Sequence, residues 1–294
     1  MTGAAGPRSR PTFVLGVGAQ KAGTTWLSRY LQTSPEFERG YRKEYHVFDS
    51  LDLESEDWMR RRLVRLARES VDAVGRHEPG DAEVLHRLAM FVDLDLYFEW
   101  FASLVRRGDG VRATGDMTPD YAMLSADRMT SIVDGFDVRG LDTVAVFLMR
   151  DPVDRIWSHI RMKARARPDA FTRSPEDELY AEHADERYAR RTRYHQTLGA
   201  LGAAFDESRV HVGLYETLFT DDRQVHAISR VVGITPRKPR LRRTSNSSPR
   251  LVSELPESIA RPVAEHYAET YREVARQRPD LDVERWWPRS RWVL

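Results

Sequence analysis

The 294-residue chain contains no cysteine, which excludes disulfides and thiolate metal sites and suits a reducing cytoplasm. It has no apolar run near the roughly 20 residues that cross a bilayer, so no membrane span is expected. The first eleven residues lack the apolar centre of a signal peptide and read as a short disordered leader. A dominant charge sign is also missing. Lys and Arg number 46 against 45 Asp and Glu, a net +1, so the molecule as a whole is not a polyanion binder and nucleic acid is not an expected partner. No internal repeat or low-complexity tract is visible. Length allows one large α/β domain or two small ones. A single domain over residues 12–294 is expected, with helical insertions near 51–107 and 161–193.

What is present is concentrated in Phe13 to Leu31. The apolar run Phe13–Val17 reads as a buried strand. Gly18, Gly23 and two threonines follow. Trp26, Leu27, Tyr30 and Leu31 then recur at helical spacing. A glycine-bearing loop between strand and helix lets backbone approach a bound group closely, and the helix N-terminus offers it unpaired N–H groups. This is an anion site, most often a phosphate site. Gly18, Gly23 and Thr24-Thr25 have the spacing of a nucleoside-triphosphate loop, but the lysine such a loop carries at position 24 is a threonine here. The cation is Lys21, inside the loop. A dinucleotide fingerprint fits worse, because its third glycine falls on Lys21.

A second stretch, Thr143 to His159, repeats the logic. Thr143–Met149 is apolar throughout, as in a strand covered on both faces. It ends at Arg150-Asp151-Pro152, and Pro152 suits a helix start. Arg150 therefore stands at the carboxyl end of a strand, where open α/β sheets hold ligands. Its planar fork matches a phosphate. A magnesium nucleotide enzyme wants an Asp there instead.

Lys21-Ala22-Gly23-Thr24-Thr25-Trp26 resembles the 5′-phosphosulfate loop of sulfotransferases that use 3′-phosphoadenosine 5′-phosphosulfate (PAPS). Arg150 and Ser158, eight residues apart, resemble the same family's 3′-phosphate pair. The segment Lys43-Glu44-Tyr45-His46-Val47-Phe48-Asp49 resembles the Lys-Glu-x-His-x-Phe-Asp segment of the heparan-sulfate-type branch and its bacterial relatives. The resemblance implies Glu44 as general base and His46 beside the acceptor, with Lys43 and Asp49 as supporting charges. In the cytosolic-type branch a histidine is the base, so His46 is the rival. Read without the resemblance, Tyr41–Asp49 could be a half-exposed strand. Asp116-Met117-Thr118-Pro119 resembles Glu-Lys-Thr-Pro of the same branch, with Met117 where that branch has a lysine. This change implies a more apolar acceptor than a sulfated glycan.

Elsewhere the aromatics Phe91, Tyr97, Phe98, Trp100 and Phe101 read as core, or as an apolar acceptor wall. Val111–Gly115 and Val210–Tyr215 read as further strands. Arg237–Arg250 is strongly basic but has no aromatic for base stacking. In the family a basic loop closes over the 3′-phosphate, which makes Arg242 and Arg243 candidates. The expected fold is an α/β three-layer architecture with a P-loop-like parallel sheet of about five strands. The expected function is transfer of a sulfuryl group from PAPS to a hydroxyl on a small metabolite or glycan, leaving 3′-phosphoadenosine 5′-phosphate (PAP), without a metal. A P-loop kinase and a non-catalytic polyanion-binding module are the alternatives.

Overall fold

The computed structural model describes residues 9–239 and 255–294. Arg242 and Arg243 lie outside the described residues, as does most of the basic segment around them. Five parallel strands form one sheet: β1 (Thr12–Gly18), β2 (Phe37–Glu38), β3 (Ala113–Asp116), β4 (Asp142–Met149) and β5 (Val210–Leu214), in the order β2-β3-β1-β4-β5. Helices flank it. The first seven are α1 (Thr24–Leu31), α2 (Phe48–Asp52), α3 (Asp57–Gly75), α4 (Ala82–Val92), α5 (Leu94–Arg106), α6 (Ala126–Asp137) and α7 (Pro152–Ala166).

The strand order decides where a ligand can sit. From β1 the chain travels to β2 and β3 on one side; from β4 it travels to β5 on the other. The carboxyl ends of β1 and β4 therefore border a topological switch point, the crevice where open α/β sheets bind ligands. Both strands are buried almost end to end, as their continuous apolar character requires. Their register, Thr12 opposite Asp142 through Gly16 opposite Val146, slips at Gly18, so the chain leaves the sheet beside Leu148.

The aromatic run of α5 is core. Phe13 of β1 meets Tyr97 and Phe101 edge-on and stacks on Phe136 of α6, with ring centroids 6.2, 4.9 and 3.8 Å away. The helical stretch from Val84 to Val105 is divided at Asp93, whose carboxylate caps α5 by accepting from the Asp95 N–H at 2.9 Å. Tyr41–Val47 is loop rather than strand. At the other end of the chain Trp287 is fully buried and donates its indole N–H to Glu216 at 3.2 Å. Glu216 also accepts from the Asp151 N–H at 3.0 Å. Asp151 in turn caps α7 and accepts from the Tyr271 hydroxyl. The C-terminus thus braces the start of α7, directly behind Arg150.

Candidate functional site

The loop after β1 is built to expose backbone. Gly23, the residue before α1, has φ 89°. A Cβ there would sit 2.9 Å from Leu218 Cδ2 and 3.2 Å from the Tyr215 ring. Gly18 has φ 110°, and its Cβ would fall 2.7 Å from the Pro119 carbonyl oxygen. Gly23→Ala is expected to cost roughly 1–2 kcal/mol of backbone strain, seen as a melting temperature lowered by a few degrees. Scanning calorimetry checks it; an unchanged transition would mean the loop is not held in this conformation. Trp26 stacks on Tyr30 with near-parallel rings and is nearly buried, so it anchors α1 rather than facing a ligand. Thr24 is buried, Thr25 half-buried. The N–H groups of the first turn of α1 precede its first intrahelical donor, Leu27, which bonds the Gly23 carbonyl at 3.0 Å.

Two cations converge on that crevice. The Lys21 ammonium touches only the Met162 sulfur of α7, at 3.3 Å, and has no carboxylate partner among the described residues. Burial, and then the neighbouring Arg150, Arg165 and Lys43 charges, lower its pKa to about 8. Arg150 stacks on the Tyr215 ring, 4.5 Å from guanidinium carbon to centroid, and donates to the Lys21 carbonyl at 3.3 Å. Its Nε is buried without a partner. Ser158 lies half-buried on α7, one turn before Met162 and therefore on the face that meets Lys21. Two partly buried cations with no carboxylate partner among the described residues repel one another, an arrangement that bound anionic groups would relieve.

The third component is the loop before α2. His46, at φ 54°, donates from Nδ1 to Asp49 at 2.7 Å, while its Nε2 lies 3.4 Å from Glu44. Burial alone would lower the histidine's pKa. The bonds to Asp49 and Glu44 outweigh it and raise the pKa to about 10. Burial would likewise raise Glu44, but the bonds from His46 and Lys43 bring it to about 2. Lys43 forms a tight ion pair with Glu44 and donates to Thr24 Oγ1 at 3.2 Å. It bridges the carboxylate and the phosphate-type loop. Asp116 holds this loop in place. It is fully buried and accepts from Thr118, Tyr121, Tyr97 and the Tyr45 N–H. Burial raises its pKa to about 6.

A cavity of about 620 Å³ opens beside Glu44 and His46, walled by α3 and α4. Met117 is not on its wall. It is buried under β1, where its sulfur fills the space a Gly16 side chain would need. The expectation that Met117 makes the acceptor site apolar is therefore corrected: it follows β3 directly and turns into the core.

Lys21, Ala22, Gly23, Thr24, Thr25, Arg150, Ser158, Glu44 and His46 thus gather at one end of the sheet. Sequence reading missed the Tyr215 platform under Arg150, whose only signal is its place at the end of a strand. It also missed the lining of the cavity by α3 and α4, for which the sequence holds no motif.

Comparison with known proteins bears on the fold and the family. A sulfotransferase from Alicyclobacillus acidocaldarius has a similar structure, with a TM-score of 0.63 at 20% identity over 95% of this chain and 99% of that one. Sulfotransferase domains from the curacin biosynthetic pathway and from the Synechococcus PCC 7002 olefin synthase also match. They give TM-scores of 0.44 and 0.43 at 15% and 16% identity, over 92% and 87% of this chain and 98% and 88% of theirs. No curated protein sequence matches. No helix among the described residues is long and apolar enough to cross a membrane. Residues 11–236 match the model of the sulfotransferase family, and the chain belongs to that family.

Proposed function

We propose that the protein transfers a sulfuryl group from PAPS to an acceptor hydroxyl. The observation that carries this reading is the pairing of two cations, Lys21 and Arg150, with no carboxylate partner among the described residues, at the switch point and next to a carboxylate that faces a cavity. The two groups would hold one doubly phosphorylated adenosine. Lys21, Thr24, Thr25 and the first N–H groups of α1 take the 5′ end, and Arg150 with Ser158 takes the 3′-phosphate. Ala22 and Gly23 keep the loop narrow, and Trp26 holds the helix. Arg242 and Arg243, outside the described residues, are further candidates for the 3′-phosphate through the family resemblance alone.

PAPS supplies the activated sulfur, whose bond to the 5′-phosphate oxygen breaks as the acceptor oxygen attacks in line. Positioning and charge stabilisation carry such displacements, as in phosphoryl transfer. Glu44 takes the acceptor's proton, and Lys21 stabilises charge growing on the departing phosphate oxygen. His46, charged and held by two carboxylates, has no lone pair to offer the acceptor at neutral pH. It is a positioning residue for Glu44. The likeness of the Lys43–Asp49 segment to the heparan-sulfate-type branch supports this assignment. Lys43 couples donor and base: phosphates arriving at Thr24 compete for its ammonium, which loosens its hold on Glu44 and raises that carboxylate's basicity. The transferred group carries less charge than a terminal phosphate, so the reading needs no metal.

Calorimetric titration with PAP and with ATP tests the donor. The reading predicts binding of PAP in preference to ATP, without magnesium; preference for Mg·ATP would replace it with a kinase. The pH dependence is a sharper check. An anion binds the protonated form of Lys21, so PAP affinity should be level from pH 6.5 to 7.5. It should then fall above pH 8, by up to about tenfold per pH unit, as the free protein loses that proton. Lys21→Arg should remove the slope. A slope that persists in Lys21→Arg would show that another group binds the anion.

A further inference from the structure

The cavity beside Glu44 has a composition that says more about the acceptor than its volume does. Its apolar wall is made by Met59, Leu63 and Leu66 of α3 and Val84 of α4. Leu63 and Val84, with Ala67, form a small apolar cluster separate from the main core. This wall is interrupted by three arginines: Arg42, Arg62 and Arg87. Among the described residues Arg42 has only a distant ion-pair partner, Glu83 at 3.9 Å on the exposed rim. Arg62, exposed on α3, has no ion-pair partner among the described residues. Arg87 is the informative one. It is only 8% exposed, its Nη2 donates to the Tyr45 carbonyl at 2.7 Å, and its Nε is buried with no acceptor. No carboxylate lies within ion-pair distance of it among the described residues. Burial and the Arg42 charge both act against its ionisation. The one carboxylate lining the cavity, Glu44, is already held by Lys43 and His46.

A buried guanidinium without a counter-ion is costly unless something supplies one. A cavity of this size with an apolar wall and a few placed polar groups is typical of a small-molecule site. Resting on the sulfotransferase reading, we propose that the acceptor is an anionic amphiphile. Its hydroxyl faces Glu44, its apolar body lies along α3 and α4, and its carboxylate, phosphate or sulfate group is taken by the arginines that line the same cavity, Arg87 first, with Arg62 and Arg42. Opposite charges then fix the molecule in the cavity: Glu44 accepts from its hydroxyl, and the arginines receive its anion.

Three probes with the same twelve-carbon chain test this: 12-hydroxydodecanoate, its methyl ester, and 12-aminododecan-1-ol. Each is titrated calorimetrically into the protein, with and without saturating PAP. The carboxylate should bind at least about tenfold more tightly than either of the others. Arg62→Gln, a change at an exposed position, should reduce that preference several-fold, and Arg87→Gln should reduce it further. Arg87→Lys, which keeps a cation, should retain most of it. The parallel PAP titration should be unchanged in Arg62→Gln. Equal affinity for the three probes, tighter binding of the ester or amine, or no binding of any of them overturns the proposal. Failure of PAP to bind would instead overturn the sulfotransferase reading, so the two can fail separately.

Discussion

Lys21→Ala is expected to lower sulfuryl transfer by about 10²- to 10³-fold, the cost of removing one donor aimed at charge that develops in the transition state. The fold should survive, because the Lys21 side chain touches only Met162 and belongs to no ion pair among the described residues. Its φ of 71° is as strained for lysine as for alanine, so the backbone cost is unchanged. PAP should bind more weakly too, since the same ammonium is proposed to meet the 5′-phosphate of the product. Steady-state kinetics with PAPS varied through its KM separates the two effects: a loss confined to KM would make Lys21 a binding group only. Lys21→Arg keeps a cation in the loop but spreads it over a wider fork. It should recover PAP binding more fully than turnover, because the transition-state contact is the more exacting of the two.

Glu44→Gln is expected to lower turnover by about 10²- to 10⁴-fold, the range for losing a positioned general base. Its effect on PAP affinity should be small and favourable, because Lys43 is freed from its ion pair and remains 3.2 Å from Thr24. A kinetic loss with donor binding intact is a signature that Lys21→Ala does not share. His46→Gln should be milder. The imidazolium braces Glu44 through Nε2 and is itself braced by Asp49, so its removal misplaces the base without deleting it. If Glu44→Gln kept full turnover while His46→Gln abolished it, the proton would go to the histidine. That outcome would require His46 to lose the charge its two carboxylates now hold in place.

The parts of this molecule that could be read in its sequence are those fixed by local geometry. The strand–loop–helix from Phe13 to Leu31 was legible because period, glycine and helix spacing change within nineteen residues; the strand runs one residue further, to Gly18, and the helix begins at Thr24. The end of β4 was legible for the same reason, since an apolar run stops at Arg150 and Pro152 starts a helix. The aromatics of α5 read as core, and Tyr97 and Phe101 pack on Phe13.

What stayed hidden depends on how distant segments meet. The alternation in Tyr41–Asp49 suits a strand equally well, but Asp116 takes the Tyr45 N–H and Tyr97 into one buried network, and the segment forms a loop instead. Met117 gives no sign in the sequence that it turns under Gly16. Arg87 sits in an ordinary helix. Only the docking of α4 on the Tyr45 loop leaves its Nε buried and unanswered. Lys43 resembled a supporting charge, and its bridge to Thr24 needed the fold to be seen.

Soaking crystals of the protein with PAP is the most direct measurement. The 5′-phosphate should lie within about 3.2 Å of the Lys21 ammonium and the first N–H groups of α1, and the 3′-phosphate at a similar distance from Arg150 and the Ser158 hydroxyl. Density for the nucleotide in another part of the molecule, or a nucleotide that engages one of these patches and leaves the other facing solvent, would contradict the account.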